Sequence, residues 1–474
     1  MKLPILEINP DYIATDLPKI VWIELTSKCP FDCIFCTRKT QRGAGEHLDF
    51  ALYQRLIREL GHPDVIRLNY AGESLHYPYL IEALELVKET KTELVSALAS
   101  FPKAKIEGLV TSGLDHLTIS LHTMDAQQFK TIYRFSSLAQ LTQNVTELLH
   151  LRTQLGQTKP TLDLAFVAMQ PNLSQLETVA AYATTLGITE LFVHPIINRD
   201  PLPLPFDAEL ANGRLKFSFK QALQEAIFKV TTRYPHLHIS LSTPEIETLP
   251  ELDPIPRPFP AALPANARIY TCDQNPWETV HILANGDVVS CEVRDKVKLG
   301  NLHAQSLAAI WHGEAYQQFR RAYVLGNIRA CRDCPYKMAY LPSPLSSVIN
   351  LTKGMSPQLL RGWHSAEADF LWSYPESLAC LKQPQDDKPH SLNLKGILPP
   401  NLTGDSNELV ITCHQIYLGS VLNQTSSFLS FETSFELPNL TTPVLTFSLK
   451  TTNVYRASPD KRELGFALQQ IKLE

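Results

Sequence analysis

Short apolar runs rich in branched residues alternate with helical periods from residue 19 to about 195. The runs are IVWIEL, VIRLNY, TELVSAL, HLTISL, TLDLAFVA and TELFVHPI. Their near-continuous apolar character is that of parallel strands buried on both faces. Amphipathic stretches separate them. In DFALYQRLIRELG, Asp49 is placed as the N-cap, Phe50, Tyr53, Leu56, Ile57 and Leu60 fall on one stripe, and Gly61 ends the helix. YPYLIEALELVKET, SLAQLTQNVTELLHLRTQLG and LSQLETVAAYATTLG read the same way. Successive strand–helix units predict an α/β fold with a parallel sheet and right-handed crossovers. In an open sheet or a partial barrel alike, ligands gather at the carboxyl ends of the strands.

Proline breaks the pattern from about 198 to 265 (PLPLP, PELDPIPRPFP), leaving a helix near KQALQEAIFKV and a short strand, LHISLS. A weak stretch over 341–385 (LPSPLSS, SPQLLRGWHS) reads as a linker. From about 390, ELVITCHQIYLGS, SSFLSFETSFELP, PVLTFSLKTTN and LGFALQQIKLE favour strands with polar turns between them, the signature of an antiparallel β-sandwich. The expected organisation is an N-terminal extension (1–18), a partial barrel (19–235), a cysteine-bearing segment (236–340), a linker (341–385) and a β-sandwich (386–474).

Composition narrows the function. A chain of 474 residues, 44% hydrophobic, can bury several cores, roughly three at about 150 residues per domain. A net charge of −5 without a basic stripe gives a nucleic-acid partner no electrostatic support. No run approaches the roughly 20 apolar residues of a membrane span, and MKLPILEINPDYIATDLPKI lacks the apolar core of a signal peptide. The expectation is a soluble, cytoplasmic protein without a membrane partner. In a reducing compartment, clustered thiols are more often metal ligands or catalytic groups than bridges. Seven of the nine cysteines are clustered, at 29–36 and 272–334, while Cys380 and Cys413 stand apart as buried, apolar-like thiols.

The stretch TSKCPFDCIFCTRK places Cys29, Cys33 and Cys36 in a CxxxCxxC loop just past the first strand. Three thiolates can hold three irons of a cubane, and no fourth cysteine is near, so one iron is left open. A structural zinc site is the alternative, although zinc prefers four closed ligands, usually as two short pairs. The loop closely resembles the CxxxCxΦC signature of the radical S-adenosylmethionine (radical SAM) superfamily, with Phe35 in the aromatic place. The superfamily's partial (β/α)6 barrel matches the strand–helix units. The resemblance implies that the open iron of a [4Fe–4S] cluster chelates S-adenosylmethionine (SAM). An electron from an external donor of flavodoxin or ferredoxin type would then cleave the sulfonium bond, giving a 5′-deoxyadenosyl radical that abstracts hydrogen from a substrate. In the same family a Gly-Gly-Glu-like turn after the second strand meets the methionyl amine. Ala71, Gly72 and Glu73 occupy that place, with alanine where a glycine is common. The resemblance further assigns Ser120, at the end of the fourth strand, to the cofactor's ribose or carboxylate, and places Asn172, after the fifth, either near the ribose or at a helix entry. His122 reads as a satisfied loop histidine, and Arg134 either pairs with the cofactor carboxylate or lies on the surface.

In the second group, Cys272 is followed by WETVHILANGDVVSC, a hairpin turning at NGD and closing at Cys291, and then by CRDCP with Cys331 and Cys334. Four thiols suffice for one complete [4Fe–4S] cluster or for tetrahedral zinc. The segment resembles the SPASM extension or its shorter twitch form. With no further cysteine until Cys380, the resemblance implies one auxiliary cluster, closed, serving electron transfer or structure. The ending LTFSLKTTNVYRASPDKRELGFALQQIKLE, through Asp460, Arg462 and Leu464-Gly465, resembles a β-sandwich segment at the ends of some bacterial glycosyltransferases. The expected substrate is thus a peptide, a protein or a sugar-linked molecule. An iron–sulfur electron carrier or non-catalytic binding protein on the same fold, and a zinc-stabilised interaction protein, are the alternatives.

Overall fold

The computed structural model describes residues 14–474 except 136, 197–209, 212–213, 216, 242–267, 273, 292–296, 333, 335–336, 341–344, 352–355, 357, 368, 385–389, 402–405, 441 and 457–461. Residues 14–262 and 271–337 form one compact unit, and residues 263–270 and 338–474 belong to a second.

The first unit begins β1 (Ile20–Ile23), α1 (Arg38–Arg42), α2 (Phe50–Glu59), β2 (Val65–Arg67), α3 (Leu80–Glu85), β3 (Thr92–Ser96), α4 (Ile106–Thr111) and β4 (His116–Ser120). It continues α5 (Ala126–Tyr133), α6 (Leu138–Gln154), β5 (Thr161–Ala168), α7 (Leu176–Thr185) and β6 (Glu190–Pro195). Strands β1 to β6 stand side by side in chain order and pair in parallel, so every crossover carries a helix. Local chemistry sets the boundaries as expected for α2: the Asp49 carboxylate accepts the Leu52 N–H at 2.8 Å, and Leu52, Tyr53 and Leu56 are buried.

The segment after residue 196 does not form a separate module. It contains β7 (Leu210–Ala211), β8 (Arg214–Leu215), α8 (Phe217–Arg233), β9 (His238–Leu241), β10 (Arg268–Cys272), β11 (Thr279–Ile282), β12 (Asp287–Val289) and β13 (Lys298–Asn301). Helices α9 (Leu307–Trp311), α10 (Glu314–Val324) and α11 (Arg329–Arg332) follow. Strand β9 adds in parallel to β6, and β11 adds in parallel to β1, with Ile20 opposite Thr279. Strands β12 and β13 continue that edge antiparallel, giving one ten-stranded sheet. The boundary drawn at 235/236 from the sequence therefore cuts through a continuous sheet.

The strands also depart from the expected burial on both faces. Along β1, β4 and β6 burial alternates. One face, with Leu117, Ile119, Leu164, Phe166, Leu191 and Val193, is fully buried. The other is half-open and polar. In register across it stand Trp22, Arg67, Glu93 and His116. Arg67 pairs with Glu93 at 2.9 Å, and His116 Nε2 meets Asp163 Oδ2 at 2.6 Å. A parallel sheet with one wet face needs apolar residues only at alternate positions.

The second unit takes in residues 268–270 of β10 and 338–340 of β14 (Lys337–Tyr340), two strands that pair with each other, and then β15 (Val348–Asn350), β16 (Leu359–Glu367), β17 (Phe370–Lys382) and β18 (Ser391–Leu398). It ends with β19 (Asn407–Cys413), β20 (Ile416–Asn423), β21 (Leu429–Glu436), β22 (Val444–Thr451) and β23 (Ala467–Leu473). The strands are antiparallel, as expected. Strands β15 to β23 form a single nine-stranded sheet in which seven follow the order β20-β19-β22-β17-β23-β18-β21, with β15 on β23 and β16 on β17. The outer strands β20 and β21 approach each other: a Cβ on Gly419 would come within 2.7 Å of the Phe435 ring. The sheet is thus a nearly closed barrel around Leu381, Leu394, Leu409, Ile411, Phe447 and Ile471. Residues 341–385, expected as a linker, supply β15, β16 and β17 to it. Cys413 and Cys380 are buried, as expected, and burial pushes their thiols up to about 11 and about 12. Among the residues of the glycosyltransferase-like ending, Arg462 pairs with Glu367 at 2.7 Å and Leu464 bridges to Tyr455, while Asp460 lies outside the described residues. Among the described residues no helix is long and apolar enough to cross a membrane.

Candidate functional site

The CxxxCxxC loop leaves the carboxyl end of β1 and is pinned by backbone bonds to the end of α5. Asp32 N–H donates to Tyr133 O at 3.1 Å and Ile34 N–H to Ile132 O at 2.9 Å. These bonds satisfy carbonyls that a helix end leaves without intrahelical partners. Phe31 packs edge-on against Tyr133 and Phe135, with ring centroids 5.9 and 5.0 Å apart. Within the loop, Cys36 N–H donates to Cys33 O at 3.0 Å, and Arg38 N–H points at Cys36 Sγ at 3.5 Å. The buried Arg38 guanidinium braces the loop from below, donating to Ser27 O and Gly43 O. Arg134, left-handed at the end of α5, pairs with Asp32 of the loop at 3.2 Å.

Cys29, Cys33 and Cys36 are all half-buried. Burial, then the nearby Glu73 and Cys36, push Cys29 up to about 12, against the opposing pull of the Phe31 amide and Arg38. Burial, then Cys36 and Cys29, push Cys33 well above the usual thiol range. Cys29 and Cys33 are therefore neutral without metal, and iron must displace their protons to bind. Among the described residues, no three His, Cys, Asp or Glu side chains converge as ligands of a single ion would. A cubane takes one thiolate at each iron, so its ligands stand apart. Three half-buried thiols on one braced loop, close enough to perturb one another, fit such a cluster.

The turn after β2 lies directly against this loop. Glu73 N–H donates to Lys28 O at 2.9 Å. A Cβ on Gly72 would stand 2.0 Å from Thr26 O and 2.7 Å from Lys28 O, so only glycine lets the two backbones touch. The Glu73 side chain, 6% exposed, accepts from the Leu75 and Ala97 amides at 3.3 and 3.2 Å. Burial raises its pKa to about 7 against those bonds and the Ser96 hydroxyl. The folded pKa lies above the unfolded one, so the associated stability is complete below about pH 4.5 and is lost as pH rises through about 7. In iron-free protein, the change in unfolding free energy between pH 5 and pH 8 should be less favourable in wild type than in Glu73→Gln by on the order of 3 kcal/mol, since His122 and the other buried histidines contribute equally to both. Equal slopes in both proteins would contradict this.

The remaining predicted residues divide. Phe35 is half-buried and sits edge-on to His122, with centroids 5.3 Å apart. Ser120 ends β4 half-buried, and its carbonyl receives the Tyr133 hydroxyl at 2.8 Å. His122 is structural: its Nδ1 accepts the Val167 amide at 3.1 Å, its ring stacks on Tyr133, and burial pushes its pKa down to about 3. Of its two expected roles, Asn172 takes the helix entry and not the ribose. It is 0% exposed, its amide donates to His122 O and Val167 O, and its oxygen accepts the Met169 N–H. Both donors are consumed inside the protein, so none is left for a cofactor ribose. Asn172→Ala should lower stability by roughly 2–4 kcal/mol in denaturant melts through the orphaned backbone groups, without a specific loss of SAM affinity.

In the second cysteine group, the hairpin between β11 and β12 turns at Asn285-Gly286, as expected. Burial raises the pKa of the buried Tyr323 hydroxyl well above the usual range, and the nearby Cys272, Cys331 and Cys334 thiols raise it further. Burial, then Cys272 and Cys334, bring Cys331 up to about 12. Lys337 Nζ donates to Cys334 O at 2.8 Å. These three thiols fit a second cluster as the first three do. Cys291 follows β12, and its carbonyl accepts the Tyr70 hydroxyl at 3.0 Å. Residues 292–296 beyond it lie outside the described residues.

Sequence reasoning missed Glu24, Arg38, Tyr70 and Tyr133, which hold these loops in place. For Glu24 a signal existed: a carboxylate inside the apolar run IVWIEL.

A model of the radical SAM superfamily matches residues 23–156, and a model of the SPASM iron–sulfur cluster-binding domain matches residues 272–335. The chain is 21% identical over 344 residues to a tungsten-containing aldehyde ferredoxin oxidoreductase cofactor-modifying protein of Pyrococcus furiosus, covering 68% of this chain and 88% of that one. It is 23% identical over 331 residues to a PqqA peptide cyclase of Xanthomonas campestris, covering 67% and 79%. A probable GTP 3′,8-cyclase of Metallosphaera sedula is 25% identical over 305 residues, covering 59% and 89%. The solved structure of Streptococcus suis SuiB bound to S-adenosylmethionine matches with a TM-score of 0.49 and 16% identity, over 66% of this chain and 68% of that one.

Proposed function

The chain is a radical SAM enzyme with a SPASM-type iron–sulfur segment, and on that premise we propose that it abstracts a hydrogen atom from a peptide or protein substrate. The two domains bring a [4Fe–4S] cluster, SAM and auxiliary iron–sulfur chemistry. Cys29, Cys33 and Cys36 are the ligands of the first cluster. Cys272, Cys291, Cys331 and Cys334 hold a single closed auxiliary cluster. When bound by these residues, the first cluster would supply one-electron reduction of SAM, with a flavodoxin- or ferredoxin-type protein as the electron source, and hence the hydrogen-abstracting chemistry.

The chain's own residues bind and orient. Gly72 lets the turn lie flat on residues 26–28, beside Cys29. Glu73, buried beside Cys29, is the acceptor for the methionyl ammonium. Ser120 ends β4 at the same edge, and Phe35 of the loop packs edge-on against His122. The observation that carries the reading is the contact between the cysteine loop and the glycine turn, which brings Glu73 beside Cys29. The peptide assignment is supported by the similarity to PqqA peptide cyclases along two-thirds of the chain.

The test is electron paramagnetic resonance on anaerobically reconstituted, dithionite-reduced protein. SAM should change the signal of one of two reduced centres and leave the other untouched. A spectrum indifferent to SAM would overturn the proposal.

A further inference from the structure

Two side chains clasp the turn after β2 to the hairpin that ends at Cys291. Glu24 follows β1 and is 1% exposed. Its Oε1 accepts the Ala71 amide at 3.3 Å and pairs with the Arg42 guanidinium at 3.3 Å, while its Oε2 accepts the Ala284 amide at 3.0 Å. One carboxylate thus grips the helix after Cys36, the Ala71-Gly72-Glu73 turn and the β11–β12 hairpin. Tyr70 closes the clasp. Its hydroxyl donates to Cys291 O at 3.0 Å, Arg42 lies 5.8 Å from its ring centroid, and His281 of β11 meets the ring edge-on at 5.9 Å. A buried carboxylate is costly to desolvate and persists only with partners of this kind. Here those partners come from both cysteine groups.

We propose that Tyr70, braced by Glu24, is a positioning residue that makes SAM binding at the first centre depend on anchoring of the hairpin at Cys291 by the second. The inference rests on the ligand assignments above. Tyr70 stands immediately before the glycine turn. A displacement of the Cys291 carbonyl therefore reaches the ammonium-binding turn through one hydrogen bond and one peptide unit. By linkage the effect is reciprocal: SAM bound at the turn holds the hairpin end in place.

The experiment titrates SAM into anaerobically reconstituted, reduced holoprotein and follows the signal of the SAM-responsive centre. Tyr70→Phe, which removes only the hydroxyl, should weaken SAM binding about fivefold, the equivalent of about 1 kcal/mol, with iron content unchanged. Cys291→Ala should weaken it too, and adding Tyr70→Phe to Cys291→Ala should weaken it no further. Full affinity in Tyr70→Phe, or losses that add in the double variant, would overturn the inference. Should Cys291→Ala not fold, the Tyr70→Phe result alone decides. A wild-type signal that ignores SAM fails the assignment of the first centre, whereas a responsive wild type with full SAM affinity in Tyr70→Phe fails only this coupling.

Discussion

Replacing Cys29, Cys33 and Cys36 together with alanine should abolish 5′-deoxyadenosine formation and remove about half of the iron, one cubane of two. The protein should nevertheless fold. The loop is held by the Asp32 and Ile34 amides on α5, by Phe31 against Tyr133 and Phe135, and by Arg38 beneath it, none of which involves the exchanged thiols. Burial already keeps Cys29 and Cys33 protonated without metal, so alanine replaces neutral groups there. The iron-free variant should therefore lie within about 1 kcal/mol per site of iron-free wild type in denaturant melts. Iron analysis, product chromatography and melts together check this. Undiminished 5′-deoxyadenosine from the triple variant would remove the first centre from the account.

Gly72→Ala should be nearly as severe for catalysis while sparing both clusters. The added methyl would meet Thr26 O at 2.0 Å and Lys28 O at 2.7 Å. Both are backbone atoms, so no rotamer change relieves the contact. The turn must lift from the loop and lose the bond from the Glu73 amide to Lys28 O. Overpacking of this kind costs about 1–3 kcal/mol. A misplacement of about 1 Å can cost roughly 10²-fold in rate, which sets the expected loss of 5′-deoxyadenosine formation. Iron content should match wild type. A variant with wild-type rate would show that the turn does not position the cofactor.

Much of this site was legible in the sequence because its parts are local. The CxxxCxxC loop, the glycine before Glu73 and the hairpin at Asn285-Gly286 each declare themselves within a few residues. What was not legible depends on partners far along the chain. Nothing near Asn172 marks it as a hub for β4 and β5 backbone, and the bond from Tyr70 to Cys291 spans 221 positions. The strand faces were misjudged for a different reason. HLTISL and TLDLAFVA look continuously apolar, yet His116, Thr118, Ser120 and Asp163 share the half-open face. The linker was misread because its strands are irregular. β16 changes register repeatedly, and Pro375 sits where β17 exchanges β23 for β22 as its neighbour, a place where a missing N–H is tolerated. Proline and glycine there mark bends in a sheet rather than a break in the fold.

The parallel seam between β1 and β11 also bears on synthesis. When β1 emerges from the ribosome, the strand that will flank it on one side lies some 260 residues ahead. Until then the nascent barrel presents an unpaired flank, the feature through which sheets recruit foreign strands and aggregate. Truncation anywhere before residue 282 leaves the flank bare, and such fragments should collect in inclusion bodies.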